Sequence, residues 1–317
     1  MSSQDFLREP VAHELVDKIV DQSGSSIHYS VFWAKHLKSF NLENPLNWKG
    51  IGSGAFLPLT SRNFFISFRA LVEVYCSAVL SRVRIPLARH PEIKTAQDFC
   101  LLADRAFDYD VWRHSQVLRL LDSFRLPGLP KVCVIGDGLA TMIGMLYLQK
   151  DFKTQVLISV NLPEILLLDY LLLRKIGVSP DEIKICSDQD ELNRSDNSWR
   201  ILLVLADDAK ILKSSDIDLF INIDSMQEMT PGARHEYFEI IGSNSAYFYC
   251  CNMIEKTMRD GTINLFLEYP WGKSNLLVDE EPAWLRRFLR VRYPWGRFRA
   301  PVGVFKTPHL HRLVKYG

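Results

Sequence analysis

The chain has 317 residues, 47% of them hydrophobic and 24% charged, with a formal net charge of +1. That is ordinary globular composition, sized for one large domain or one domain with a substantial accessory region. So balanced a charge excludes net charge as an argument for a nucleic-acid or membrane partner.

Residues 1–130 read as mainly helical. Segments near 11–20, 64–80 and 110–125 carry apolar residues three and four apart, the spacing of helices packed by one face. The N-terminus is polar and carries acids, without the basic-then-apolar pattern of a secretory leader. Between the first two helices, residues 44–54 form a glycine-rich loop with Gly50, Gly52 and Gly54. It follows no strand, so a surface connection suits it better than a phosphate cradle. Pro127, Gly128 and Pro130 form a breaker cluster that marks a boundary. The expected organisation is a helical region, 1–130, on the cap and substrate side, and an α/β domain over 131–317.

From Lys131 the pattern changes. Lys131–Ile135 is a continuous apolar run, as in a central strand buried on both faces. It empties into Gly136-Asp137-Gly138, and a helix follows over Leu139–Gln149. The next strand is Gln155–Val160, followed by a helix with Pro163 in its first turn and Gly177 just past its end. Its run Ile165–Leu173 is far short of the roughly 20 residues a bilayer span needs, and Asp169 interrupts it. It suits a buried helix flanking a sheet. Further strands are expected at Ile183–Cys186, Ile201–Leu205, Asp218–Asp224 and Ala246–Cys251. Thr230 caps a helix that Pro231 opens and that runs through Ile241. Such alternation gives a doubly wound, mostly parallel sheet with its loop chemistry at the strands' C-terminal ends. After Asn252 the pattern is less regular.

The six cysteines are scattered without a C-x-x-C pair, several inside strand-like runs. Reduced thiols in a cytoplasmic protein are expected, and no structural metal site.

A glycine turn between strand and helix lets a ligand approach the backbone closely. A dinucleotide fingerprint needs a third glycine where Thr141 stands and an acid after the second strand, where Asn161 stands. The turn, Asn161-Leu162-Pro163-Glu164, the stretch Asp218 to Met229 with Asn222, Ser225 and Glu228, Tyr237-Phe238, and Phe248 to Asn252 together resemble the sugar O-methyltransferases. The resemblance covers about residues 130–252, and its most specific part is the block 222–229.

It implies a Rossmann-like methyltransferase sheet, S-adenosylmethionine as cofactor, and a sugar, nucleotide-sugar or glycan acceptor in polysaccharide or glycoside biosynthesis. Gly136, Asp137 and Gly138 would pass under the cofactor's methionine part. Asn161, with Leu162 beside it, would meet the ribose hydroxyls. Asp207 and Asp208 would lie near the adenine, and Asn222 to Glu228 would line the floor where donor meets acceptor. The chain departs from the family's pattern at Val134 and Asn161, where acids are expected, and at Ala140, where a third glycine is expected. These departures motivate a second reading, a non-catalytic binding protein that keeps the fold. A third is an NAD(P)-dependent sugar oxidoreductase.

Candidates for the base that takes the acceptor's proton are Glu228 first, then Asp224 and His235. Glu228 could equally brace its loop, and His235 could be a surface histidine. Ser225 and Asn252 are candidates for substrate contact. The repeated Tyr-Pro-Trp-Gly element places Trp271 and Trp295 either on a sugar ring or in stacked turns at the sheet edge. Residues 284–299 interleave arginines with aromatics, as a phosphate-binding patch or a solvated basic face would, and keep RNA open as a minor alternative.

Overall fold

The computed structural model describes residues 3–21, 28–47, 64–80, 90–124, 126, 129–149, 154–194, 199–258, 260–285, 288–291, 302–305 and 308–317. Trp295, most of the arginine-aromatic stretch, the glycines of the 44–54 loop and the Pro127-Gly128 breaker lie outside them.

The helices are α1 Ser3–Phe6, α2 Pro10–Asp21, α3 Val31–His36, α4 Phe64–Leu80, α5 Pro91–Leu102, α6 Tyr109–Ser123, α7 Thr141–Leu148, α8 Pro163–Lys175, α9 Gln189–Leu192 and α10 Pro231–Ser243. The strands are β1 Lys131–Ile135, β2 Val156–Asn161, β3 Ile183–Ile185, β4 Ile201–Leu205, β5 Leu219–Ile223, β6 Tyr247–Met253, β7 Glu255–Thr257, β8 Ile263–Leu265, β9 Ser274–Glu280, β10 Phe288–Val291, β11 Val302–Phe305 and β12 His309–Tyr316.

Eight strands make one sheet in the order β3-β4-β2-β1-β5-β6-β12-β9. The six from β3 to β6 run parallel. β12 is antiparallel to both neighbours, β6 and β9. From β1 the chain first builds outward through β2 to β4, then returns to place β5 on the other side of β1. The crevice between the C-terminal ends of β1 and β5 is therefore the topological switch point, where ligands of such sheets bind. The fold is the doubly wound, mostly parallel, Rossmann-like one expected, with a helical N-terminal region.

Helix α8 shows why the N-terminal helices are needed. Pro163 and Ile165 to Leu173 are all buried, Asp169 included. One face of a helix can rest on the sheet, but a helix apolar all round needs a second cover. α2 supplies it, with Ala12 and Leu15 in the same core cluster as the α8 leucines. Outside that contact, Arg174 grips Glu9 with Nε at 2.7 Å and Nη2 at 2.8 Å. That planar two-point pair is the geometry in which arginine binds a carboxylate most firmly. The second face of the sheet is covered by α10 and by the residues around Phe266 and Trp271.

The region after Asn252 holds more order than its sequence suggests. It supplies the hairpin β7–β8 and the two last strands of the main sheet, β12 and β9. β12 alternates buried and half-buried residues, with basic groups among them. β9 is an edge strand and largely exposed. Neither carries the unbroken apolar run by which the central strands announce themselves.

Candidate functional site

Three chain segments meet at the switch point. After β1 the backbone turns through Gly136 (φ +71°), Asp137, Gly138 (φ +54°), Leu139 (φ +111°) and Ala140 (φ +47°). Positive φ at Leu139 and Ala140 costs of order 1–3 kcal/mol each and needs a structure that enforces it. Asp169 does so: its Oδ1 accepts from the amides of Leu139 at 2.9 Å and Ala140 at 2.6 Å. Its Oδ2 accepts from Ser159 Oγ at 3.0 Å and Asn161 Nδ2 at 3.4 Å. The acid that interrupts the leucines of α8 is thus the anchor of the glycine turn and of the end of β2.

Asp137 has a different role from the one expected of it. Its side chain is fully buried, and its oxygens accept from the amides of Met142 at 2.8 Å and Ile143 at 2.9 Å. It caps α7 and turns away from the crevice. Burial, and then the neighbouring Asp169, push its carboxyl up to about 7. Burial likewise raises Asp169, against the four donors that favour its ionised form. His114 lies 3.8 Å from Asp137, with its pKa pushed down to about 3 chiefly by burial, and is neutral there.

Gly136 is required sterically. A Cβ there would fall 2.2 Å from Ser225 Oγ. Ser225 comes that close because it donates to the Ile135 carbonyl at 3.0 Å. Asn222 donates to the same carbonyl at 2.9 Å and accepts from Asn252 at 2.9 Å. Asn252 in turn accepts from the Gln227 amide at 3.1 Å. Asn222 and Asn252 are fully buried and Ser225 nearly so. These three brace the loop after β5; their polar atoms face one another and the Ile135 carbonyl. Leu162 is likewise buried in the core. By contrast, Gly138 leaves open space, with nothing nearer than 4.0 Å to an added Cβ.

The loop after β5 carries two of the candidate carboxylates, Asp224 and Glu228. Asp224 sits in the left-handed region (φ +58°). Its Oδ1 lies 3.0 Å from His309 Nε2, and its Oδ2 pairs with Arg113 Nη1. Arg113 comes from α6 and His309 from β12, so the helical region and the last strand meet at this loop. Glu228 follows in a short 3-10 turn, 3.9 Å from Lys256 Nζ on β7. Burial pushes its carboxyl up to about 7, against the pull of Lys256 and Arg113.

At the other flank, Asp207 and Asp208 follow β4, Asp207 exposed and Asp208 partly buried. His28 Nε2 is 3.9 Å from Asp207 Oδ1, and Tyr29 donates to Glu164 at 3.0 Å. The segment before α3 therefore lies across the ends of β2 and β4.

Two expected residues lie elsewhere. His235 is on the exposed face of α10, 3.3 Å from Glu239 one turn on. Trp271 packs at 5.1 Å from both Phe238 and Phe266 and at 5.9 Å from Phe248, with its indole N–H on the Phe266 carbonyl at 3.1 Å. Phe248 lies near the start of β6 and Asn252 near its end, about 13 Å apart at the rise of a strand. Trp271 belongs to the core at the opposite end of the sheet from the crevice. Arg113, His309, Lys256 and Asp169 were missing from the sequence candidates. Only Asp169 had a local signal, as the acid that interrupts the apolar run Ile165–Leu173 of α8.

No protein-family model matches the chain, and no curated protein matches it. Solved structures with a related sheet include a proposed RNA methyltransferase of Pyrococcus horikoshii, at 12% identity and TM-score 0.42, covering 72% of this chain and 99% of that one. A variant of MtNAS in complex with S-adenosylmethionine aligns at 12% identity and TM-score 0.39, over 99% of this chain and 95% of that one. Magnesium protoporphyrin IX methyltransferase from Synechocystis, with bound SAM, aligns at 10% identity and TM-score 0.36, over 78% and 96%. Similarities of this size carry no argument about what this chain binds.

Proposed function

We propose that the protein is an S-adenosylmethionine-dependent O-methyltransferase acting on a sugar hydroxyl, carried by a free sugar, a nucleotide-sugar or a glycan. The observation that carries the choice of cofactor is the closed N-terminus of α7. In a dinucleotide site the pyrophosphate rests on that helix end. Here Asp137 takes the amides of Met142 and Ile143, and a second carboxylate, Asp169, lies behind the turn. With those amides taken, the helix end does not offer them to a pyrophosphate, and carboxyls beside the turn suit a nucleoside whose other end is cationic. The sugar acceptor rests on the resemblance carried by residues 130–252.

The residues fit such a cofactor. Gly138 leaves its backbone open to close approach, Asn161 ends β2 at the crevice, and Asp207 and Asp208 stand after β4. When bound, the cofactor supplies an electrophilic methyl group on a sulfonium. Glu228 takes the proton of the acceptor hydroxyl, and a carboxyl raised to about 7 is matched to that task near neutral pH. Lys256 and Arg113 hold enough of it ionised to act. Asp224, fixed between Arg113 and His309, sets the shape of the acceptor side. The segment around His28 and Tyr29 and helix α6 keep water from the crevice.

The test is calorimetric titration of the full chain with S-adenosylhomocysteine and, in parallel, with NAD and NADP. Micromolar binding of the first and none of the others is expected. Binding of a dinucleotide instead, or of nothing, overturns the reading.

A further inference from the structure

We infer that Asp169 is a positioning residue for a nucleoside's vicinal diol: it holds Asn161 by its amide nitrogen, so that Asn161 offers Oδ1 to the hydroxyls. The inference rests on the reading of the crevice as a nucleoside-cofactor site.

Asn161 Nδ2 lies 3.4 Å from Asp169 Oδ2. Asn161 makes no other side-chain hydrogen bond among the described residues, so its Oδ1 remains to accept from a ligand. A carboxamide presents a donor or an acceptor according to which way it is turned. Beside an acceptor-only carboxylate only one orientation works, with nitrogen toward Asp169 and oxygen away. A diol donates two hydroxyl hydrogens, and an acceptor polarised by a charge behind it is what that ligand needs. Asp169 itself cannot move to the ligand. It is fully buried and tied to Leu139, Ala140 and Ser159.

The arrangement also explains why an acid is absent from the end of β2. A carboxylate at position 161 would face Asp169 across about the length of a hydrogen bond, with Asp137 close by, in a site shielded from water. Like charges so placed cannot both ionise without cost. The charge stands one layer back, and a neutral amide relays it. Among the described residues, the charged or titratable groups around this spot include Arg105, 2.9 Å from Thr141 at the start of α7, His114 beside Asp137, and Glu164 with Tyr29 just past the end of β2.

Three variants of the full chain test this: Asn161→Asp, Asp169→Asn, and the double exchange. In the double, the new amide at 169 can donate to the new carboxylate at 161 and to Ser159 Oγ, while its oxygen still accepts from Leu139 and Ala140. The two contacts to the turn's amides are kept, and the pairs with positions 159 and 161 are both reversed. Each protein is melted to establish folding, then titrated with S-adenosylhomocysteine and with its 2′,3′-dideoxy analogue. The wild type is expected to prefer the diol. Each single variant is expected to bind S-adenosylhomocysteine about tenfold or more weakly, and the double to return within about threefold of the wild type, for one charge-assisted hydrogen bond lost and regained. A folded Asp169→Asn protein that binds like the wild type overturns the inference. So does an Asn161→Asp protein that binds more tightly, and that variant decides alone if position 169 proves essential for folding. Failure of the wild type to bind S-adenosylhomocysteine removes the nucleoside reading itself, an outcome distinct from either.

Discussion

Asp224 and His309 join the loop after β5 to the first residue of β12, carboxylate Oδ1 to imidazole Nε2 at 3.0 Å. The other carboxylate oxygen holds Arg113 of α6, so one side chain gathers three parts of the chain.

Replacing Asp224 by Asn leaves the Arg113 guanidinium, only 11% exposed, without its main partner. Breaking a buried pair costs about 3–5 kcal/mol, and the partial exposure of Asp224 reduces this to about 2–3 kcal/mol. The melting temperature is expected to fall by about 5 °C or more. An unchanged melt would show that the pair is an ornament of the loop.

Glu228→Gln removes the proposed base without changing its size. A loss of about 100- to 10,000-fold in kcat/KM is expected, with S-adenosylhomocysteine binding unchanged. For the wild type, kcat/KM is expected to rise with pH through about 7 as Glu228 ionises, then level off. Stability runs the opposite way. A carboxyl raised on folding favours the folded state fully below its ordinary value near 4.5, and that contribution is lost as pH rises through about 7. Stability measured against pH should therefore decline over this window in the wild type and less steeply in Glu228→Gln, where Asp137 keeps its own share of the decline. A wild-type activity profile flat between pH 6 and 8 would remove Glu228 as the base.

The two glycines of the turn should separate stability from binding. At Gly136 an added Cβ meets Ser225 at 2.2 Å in a left-handed backbone, so Gly136→Ala is expected to lower stability by more than about 2 kcal/mol. At Gly138 only the left-handed φ is penalised, by about 1–2 kcal/mol. There the added methyl enters the open side of the turn. Gly138→Ala is expected to fold and to lose cofactor affinity tenfold or more, measured by titration. Equal affinity would place the ligand away from this turn.

His235→Ala and Trp271→Ala serve as a contrasting pair. His235 is exposed and is expected to leave activity within twofold. Trp271 is packed among Phe238, Phe248 and Phe266, and its loss is expected to cost about 3 kcal/mol with KM for the acceptor unchanged. A large rise in acceptor KM at position 271 would return that tryptophan to the substrate.

The parallel core was legible because its signals are local. Strand Ile201–Leu205 and helix Pro163–Lys175 have the bounds their residues suggest, since a strand buried on both faces must be apolar throughout and Pro and Gly punctuate a helix. Helix α5 and strands β9 and β12 were not, because their alternation is broken by charged and half-exposed positions. In the site, the glycine turn and the carboxylates after β5 could be found from motif order. The jobs of Asp137, Asn222 and Asn252 could not, because the backbone groups that claim their side chains are decided by the fold. Arg113 and His309 are brought to Asp224 from positions 111 residues before it and 85 after, separations over which no sequence pattern runs.

β12 follows β9 in the chain, yet it lies between β9 and β6. During synthesis, the polypeptide as far as β9 has an open β6 edge and a β9 without a neighbour. Such unpaired edges invite pairing with another chain. The strand that seals the gap also delivers His309 to Asp224. Protection against misassembly and completion of the Asp224 cluster are therefore one folding event, and a ribosome-bound chain that has not yet released β12 has neither.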